Sequence, residues 1–203
     1  MGAVVALDQL LEARTVWRGQ ATAAAVAAAH PTGWPALDAL LPGGGWPEAA
    51  LSEVLFAADG LGEIGLVLPA LARLAAAGMP VALVAPPYLA HAPAWARAGL
   101  DLRHVQCIDA TPRDALWAAE QCLRSAACGA VLCWPRKVDD RALRRLQVAA
   151  EGGRCLGFAF RDAREARNPS PAALRLLVDA NHQVRVLKCR GAAVPPRVVA
   201  LSH

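Results

Sequence analysis

Short apolar segments alternate with longer amphipathic segments along most of this chain. The apolar runs that predict strands lie at 51–56, 81–85, 105–108, 130–134 and 155–160. The segments with helical spacing lie between them, at 63–77, 92–98, 113–126 and 139–150. Because strands and helices take turns, we expect an α/β fold with a mostly parallel central sheet and helical crossovers. Three later runs, at 174–178, 184–188 and 198–201, follow without helices and predict antiparallel edge strands near the C-terminus.

The first thirty residues carry a separate amphipathic pattern, which predicts a helical appendage to a core domain at 31–203. Its apolar stripe comprises Val5, Leu10, Val16 and Trp17. Two interpretations stay open: the stripe docks a partner or a second copy, or it folds back on the protein's own core.

A turn-rich passage follows this segment and contains Trp34 and Trp46. Large aromatic residues dominate binding hot spots, so both are candidate anchors for a partner. The alternative is that they pack this passage onto the sheet.

The composition indicates a folded domain. The chain has 203 residues, of which 56% are hydrophobic and 5% aromatic. Such a length allows one compact core that buries about 70% of the unfolded surface. No apolar run is long enough to span a membrane and no signal peptide is indicated, so we expect a cytoplasmic protein. The six cysteines form no Cys-x-x-Cys pair, which favours reduced, mostly buried thiols and no metal site.

A phosphate-binding loop is present in outline after the strand predicted at 51–56. In a working loop, Gly-x-x-x-x-Gly-Lys-Ser/Thr, backbone amides and the Lys bind phosphates and the hydroxyl binds magnesium. Here Gly60 and Gly62 are present, but Ala57 replaces the first glycine. Glu63 replaces the lysine, and Ile64 replaces the hydroxyl. A carboxylate about 4 Å from a phosphate charge costs about 4 kcal/mol near a protein surface, so we expect no ordinary ATP binding. A simple turn before a helix is the other interpretation.

Other elements of catalysis are missing from the sequence. The strand predicted at 130–134 ends without the acidic residue that would position magnesium or water in an ATPase. Serines and histidines show no catalytic pattern, so we predict a protein that is not an enzyme and has no cofactor. Our hypothesis for Glu63 is that its carboxylate folds back on the amides of residues 60–62 as an internal anion.

Five basic residues surround the helix predicted at 139–150. Arg136 and Lys137 are candidate DNA contacts, and the candidate partner contacts are Arg141, Arg144 and Arg145. A solvated helix face is the alternative, because charges on an amphipathic helix commonly face solvent.

The order of these features resembles the RecA recombinase superfamily from about residue 30 to residue 201. Its marks are Thr32-Gly33, Gly44 to Pro47, the strand and loop at 53–64, Asn168-Pro169 and Val186 to Arg190. The stretch at 134–161 is similar to the SulA family of division inhibitors. The chain as a whole is more similar to the ImuA family, RecA-like proteins associated with translesion synthesis. The resemblance implies a RecA-like three-layer core.

The resemblance also adds site residues. Arg161, Arg164 and Arg167 lie where recombinases grip single-stranded DNA. No aromatic residue lies between them for base stacking, so we expect weak and salt-sensitive DNA binding. Lys188 and Arg190 match positions that reach the neighbouring subunit in recombinases, which makes them candidate partner contacts.

A function is implied by the same resemblance. The ImuA family implies a non-catalytic adaptor that supports error-prone translesion synthesis in the bacterial SOS response, located at the nucleoid. Its implied partners are ImuB and, through ImuB, the error-prone C-family polymerase, with RecA and single-stranded DNA as further candidates. The alternative is a SulA-like division inhibitor that binds the tubulin-like protein FtsZ.

Overall fold

The computed structural model describes residues 29–136 and 138–201. The helix predicted for the N-terminal segment, with Val5, Leu10, Val16 and Trp17, lies outside the described residues, as does Lys137.

The described chain alternates strands and helices in the predicted order. The strands are β1 (Ala29–His30), β2 (Trp46–Pro47), β3 (Leu51–Phe56), β4 (Val81–Val84), β5 (Val105–Ile108), β6 (Ala130–Cys133), β7 (Leu156–Asp162), β8 (Leu174–Val178), β9 (Gln183–Cys189) and β10 (Val198–Ala200). The helices are α1 (Pro35–Asp38), α2 (Glu63–Ala76), α3 (Ala92–Arg97), α4 (Ala115–Arg124) and α5 (Asp140–Gly153), with 3-10 turns at Leu102–His104 and Ala163–Arg167.

Strands β3 to β10 form one sheet of eight strands in the order β10-β9-β8-β3-β7-β6-β4-β5. Strands β3 to β8 are parallel to their neighbours within this group, and β9 and β10 run antiparallel at one edge. The expectation of a mostly parallel sheet with antiparallel edge strands is confirmed. The prediction that the run at 174–178 is an antiparallel edge strand was wrong for this one strand. Strand β8 pairs in parallel with β3 on one side and antiparallel with β9 on the other.

Helices cover both faces of the sheet, which makes three layers. One buried cluster joins α2 and Trp95 of α3 to alternate residues of the strands, such as Val54 and Leu83. The other joins α4 and α5 to the opposite strand face, through Leu123 and Leu143 among others. Apolar residues at helical spacing in α5 face this second cluster, as its pattern predicted.

Trp34 and Trp46 belong to the core and are not exposed anchors. Trp46 is fully buried and meets Phe158 edge to face, with ring centroids 5.0 Å apart. Trp34 donates from its indole nitrogen to the Leu66 carbonyl at 3.2 Å. The turn-rich passage is therefore packed on α2 and the sheet, and the prediction of a partner anchor is wrong for both residues.

The cysteines differ widely in exposure. Cys133 and Cys155 are buried, and burial raises the pKa of each thiol to about 12. Cys107 is exposed, and Cys122, Cys128 and Cys189 are half-buried. All six are free thiols, but only two of them fit the expectation of burial.

A buried ion network joins three neighbouring strands. Glu53 of β3 is fully buried, and its Oε1 accepts from Arg161 Nη1 of β7 at 2.7 Å. Its Oε2 accepts from Arg175 Nε of β8. Arg161 also reaches Glu165 at 3.0 Å, and Arg175 donates to the carbonyls of Glu165 and Asn168. The network thus fixes the turn after β7 as well as the strands.

We expect Glu53→Gln to destabilise the fold by about 3–5 kcal/mol, because it leaves the buried guanidinium of Arg175 without a carboxylate partner and that of Arg161 with Glu165 alone. Urea unfolding followed by circular dichroism measures the loss. Arg144→Gln is the control: it removes an exposed pair with Asp140 and should cost less than about 1 kcal/mol. A change at Glu53 as small as the control's would contradict the structural role of the network.

Candidate functional site

A groove of about 420 Å³ lies at the carboxyl ends of β3, β6 and β7. In open α/β sheets, ligands bind in the crevice outside the carboxyl ends of the strands. Aromatic side chains, including Phe56, Trp134 and Phe160, lie among its walls. Trp134 and Phe160 stack with ring centroids 5.1 Å apart. The groove is therefore in the position of a ligand site, and its walls combine aromatic rings with acidic and basic side chains.

In the loop between β3 and α2, a side chain at the start of α2 accepts a hydrogen bond from a backbone amide of the loop. Gly62 takes a left-handed conformation (φ 91°) and begins helix α2 as its N-cap. Glu63 is the first helical residue and is buried, with 8% of its surface exposed. Its Oε1 accepts a hydrogen bond from the Gly60 amide at 3.1 Å. The hypothesis of an internal anion is confirmed at Gly60, and the carboxylate takes the amide that a phosphate would use.

Two further side chains hold this loop. His182, in the turn between β8 and β9, has Nδ1 2.9 Å from the Leu61 carbonyl oxygen, to which it donates in the tautomer protonated at Nδ1. Tyr88, after β4, donates its hydroxyl to Asp59 Oδ2 at 2.8 Å. This hydrogen bond is the main reason that the pKa of Tyr88 is raised. Ile64 packs against the buried core where a working loop would present a hydroxyl.

Strand β6 ends without a carboxylate, as its sequence indicates. Its last residue, Cys133, is buried with its Sγ 3.6 Å from the Phe158 carbonyl oxygen. The residues that follow, Trp134 to Arg136, supply an aromatic ring, a proline and a cation. Within the described part of the chain, no group of three or more His, Cys, Asp or Glu side chains could hold a metal ion.

The prediction that Arg161 contacts DNA is corrected by its burial. Only 4% of Arg161 is exposed, because Glu53 and Glu165 neutralise its guanidinium inside the protein. The segment that carries Arg164 and Arg167 forms the 3-10 turn Ala163–Arg167, capped by Asp162, which accepts from the Arg164 amide. Arg164 and Arg167 remain exposed on this turn, and exposed Arg136 and Arg164 line the groove.

The candidate partner residues on α5 lie on its exposed side. Arg145 pairs with the buried carboxylate of Glu120 on α4, which also pairs with Arg124 at 2.6 Å. Arg144 lies 3.4 Å from Asp140. Arg141 is exposed and has no ion pair with any described residue. Arg141 is therefore the cation of this group with the most charge available to a partner.

Lys188 and Arg190 are engaged within the protein. Lys188 Nζ donates to the Ser170 carbonyl at 2.6 Å, and partial burial lowers the pKa of Lys188. Arg190 pairs with Glu151 of α5 at 3.0 Å.

Sequence reasoning missed several residues of this site. Glu53 and Arg175 are charges inside apolar strand runs, and such a position is itself a sign of a buried ion pair. Tyr88 and His182 had no comparable sign, because each reaches the loop from a distant segment of the chain. The exposed Trp117 on α4 lay inside an ordinary helical pattern and was also missed.

No protein-family model matches the chain, and no curated protein matches it significantly. Among solved structures, it is similar to the crystal structure of SulA from Pseudomonas aeruginosa. The identity is 28%, and the TM-score is 0.47. The match covers 56% of this chain and 98% of that chain. The strand order and the helix layers define an α/β fold class. Among the described helices, none is long and apolar enough to cross a membrane.

We expect the double variant Glu63→Lys, Ile64→Thr to gain affinity for Mg-ATP. It removes a repulsion of about 4 kcal/mol and adds an attraction of similar size, so the gain should exceed about 100-fold. Titration with a fluorescent ATP analogue measures it.

Glu63→Gln is the matched control, because it keeps an acceptor for the Gly60 amide and supplies no cation. It should gain much less than the double variant. A double variant that keeps the wild-type melting temperature and still ignores nucleotide would show that the loop fails for another reason.

Proposed function

We propose that this protein is a nucleotide-independent, RecA-like adaptor of the bacterial SOS mutagenesis machinery that supports error-prone translesion synthesis. Its first partner would be ImuB, and ImuB would connect it to the error-prone C-family polymerase. The observation that carries the proposal is the Glu63 carboxylate on the Gly60 amide, where a nucleotide-using relative would bind phosphate. The family resemblance of the sequence supports the choice of partner.

An adaptor acts by binding, so its exposed surfaces carry the mechanism. The outer side of α5 offers Arg141, with Arg144 held only by an exposed pair. Helix α4 packs beside α5 on the same face of the sheet, and its Trp117 is 61% exposed. Aromatic and arginine side chains are enriched in binding hot spots. This surface supports an interface with an acidic segment of a protein partner.

We expect full-length protein to co-purify with ImuB equally well with and without Mg-ATP, because the phosphate position is occupied by Glu63. Arg141→Glu combined with Arg144→Glu should weaken the complex at least about tenfold, because reversed charges repel an acidic partner. Affinity is measured by biolayer interferometry. Arg97→Glu is the control, since this exposed arginine is on α3, across the sheet from α5.

The same assay with FtsZ tests the alternative. If the protein bound FtsZ and did not bind ImuB, the proposal of an adaptor would be wrong and that of a division inhibitor would take its place. A complex with ImuB that forms only with ATP would contradict nucleotide independence.

Trp17→Ala in the full chain tests the N-terminal stripe, which is a separate candidate for docking.

We expect weak binding of single-stranded DNA through Arg136, Arg164 and Arg167. Contact with about three phosphates predicts a slope near −2 for log affinity against log salt. Arg164→Ala with Arg167→Ala should reduce both affinity and slope, as measured by fluorescence anisotropy with an oligothymidine. Asp59→Asn is the matched control. It removes a negative charge beside the same groove and keeps every cation, so it should not lower the DNA affinity. Salt-independent binding would exclude phosphate contacts.

A further inference from the structure

A second groove, of about 400 Å³, lies at the carboxyl edge of the sheet, outside the ends of β4, β5 and β6. Helix α3 follows β4 on one face of the sheet, whereas α4 and α5 follow β5 and β6 on the other face. The chain therefore leaves β4 in the direction opposite to both of its neighbours, and ligands of open α/β sheets bind at such switch points. The volume lies within the range of about 300–1,000 Å³ that is typical of ligand sites.

Apolar side chains form most of the wall of this second groove. Leu116 at the start of α4, Val138 before α5 and Trp134 after β6 all line it. The Trp134 ring stacks on Phe160, which does not line the second groove, so a different part of the ring faces it. Every lining residue is half-buried or exposed. An open apolar groove suits the side chains of a protein segment better than a small molecule, which needs burial of about 70–90% of its surface.

The segment after β4, which forms one wall, is held in a single conformation. Ala85 has a left-handed backbone (φ 46°), which residues other than glycine adopt only at a cost. Its amide donates to the Ile108 carbonyl at 2.9 Å and so ties the ends of β4 and β5 together. Pro86 and Pro87 follow, and proline fixes its own φ angle. Strained backbone clusters at functional sites. A wall that is already rigid also loses little conformational entropy when a partner binds.

The two charges of the lining lie at opposite ends of the second groove. Arg136, at the β6 end, is exposed and has no ion pair with a described residue. Asp109, at the β5 end, is the one carboxylate among the described lining residues. Strand β4 lies between β5 and β6, so the two ends are roughly 10 Å apart. A carboxylate of a ligand is therefore attracted at the β6 end and repelled at the β5 end.

We infer that the second groove binds an extended segment of a partner protein that carries apolar side chains next to a single acidic one. The apolar side chains pack on Trp134, Leu116 and Val138, and the acidic side chain lies over Arg136. The inference specifies the segment by its chemistry, so it goes beyond the proposed function and does not depend on which protein supplies the segment.

The test uses the peptide acetyl-Leu-Leu-Asp-amide as the probe and two-dimensional NMR of the full-length protein at constant ionic strength. Saturable shifts of the Trp134 indole signal and of the Leu116 and Val138 amides are expected. Acetyl-Leu-Leu-Asn-amide should bind about two- to fivefold more weakly, because it lacks the charge that meets Arg136. Acetyl-Ser-Ser-Asp-amide has no apolar side chain and should produce no saturable shift.

Arg136→Gln should abolish the difference in affinity between the Asp and Asn peptides, because it removes the cation and keeps a polar side chain. Arg164→Gln is the matched control. This exposed arginine lines the groove at β3, β6 and β7 but not the second groove, so its loss should leave the difference unchanged. Asp109→Asn should not weaken binding of the Asp peptide, because it removes a repulsion at the far end.

The absence of saturable shifts with acetyl-Leu-Leu-Asp-amide at millimolar concentration would overturn the site. Equal binding of acetyl-Ser-Ser-Asp-amide would reduce it to a site for anions, and equal binding of acetyl-Leu-Leu-Lys-amide would overturn the preference for an acidic residue. An unchanged difference between the Asp and Asn peptides in Arg136→Gln, or weaker binding in Asp109→Asn, would contradict the position of the acidic side chain. Because the probes are synthetic peptides, these outcomes are independent of whether ImuB binds.

Discussion

The buried carboxylate of Glu53 is the interaction on which the rest of the structure depends. It lies on the central strand β3 and neutralises one arginine from each neighbouring strand, Arg161 on β7 and Arg175 on β8. A buried charge is tolerated only when it is paired and hydrogen-bonded. The three side chains therefore specify which strands are neighbours, and their remaining donors bind the turn after β7. That turn forms one wall of the larger groove, so the core network also shapes the candidate site.

Electrostatics in the loop at 57–63 reverse what a phosphate-binding loop ordinarily does. A working loop offers backbone donors and a lysine to an external anion. Here the anion is part of the chain, because Glu63 accepts from the Gly60 amide. The position at the carboxyl edge of the sheet remains that of a ligand site. At this edge the chain's own Glu63 carboxylate accepts from a loop amide that a working loop would offer to an external anion.

Arginines that lie close together in the sequence differ in burial and in their ion pairs, and so they differ in the charge they present at the surface. Arg164 and Arg167 are exposed, and Arg164 has only an exposed ion pair with Asp162 at 3.9 Å. Arg161, three residues earlier than Arg164, is instead neutralised inside the protein. On α5, Arg145 is bound to Glu120 of α4, and Arg141 has no ion pair with a described residue. Counting basic residues along the sequence therefore overstates the charge that a partner would meet. Arg141 on α5 and Trp117 on α4 are among the side chains that remain exposed.

The sequence by itself determined the order of strands and helices, the apolar face of α5 and the replacement of the phosphate-binding lysine by Glu63. These are local properties, because hydrophobic periodicity and the chemistry of a short motif need no distant residue. Only the tertiary structure decided that β8 lies in the sheet interior beside β3, that Arg161 is buried, and that Tyr88 and His182 hold the loop. Glu53 is separated from Arg161 by 108 residues and from Arg175 by 122. Contacts over such separations depend on which strands become neighbours, and that is set by packing and charge pairing across the whole sheet.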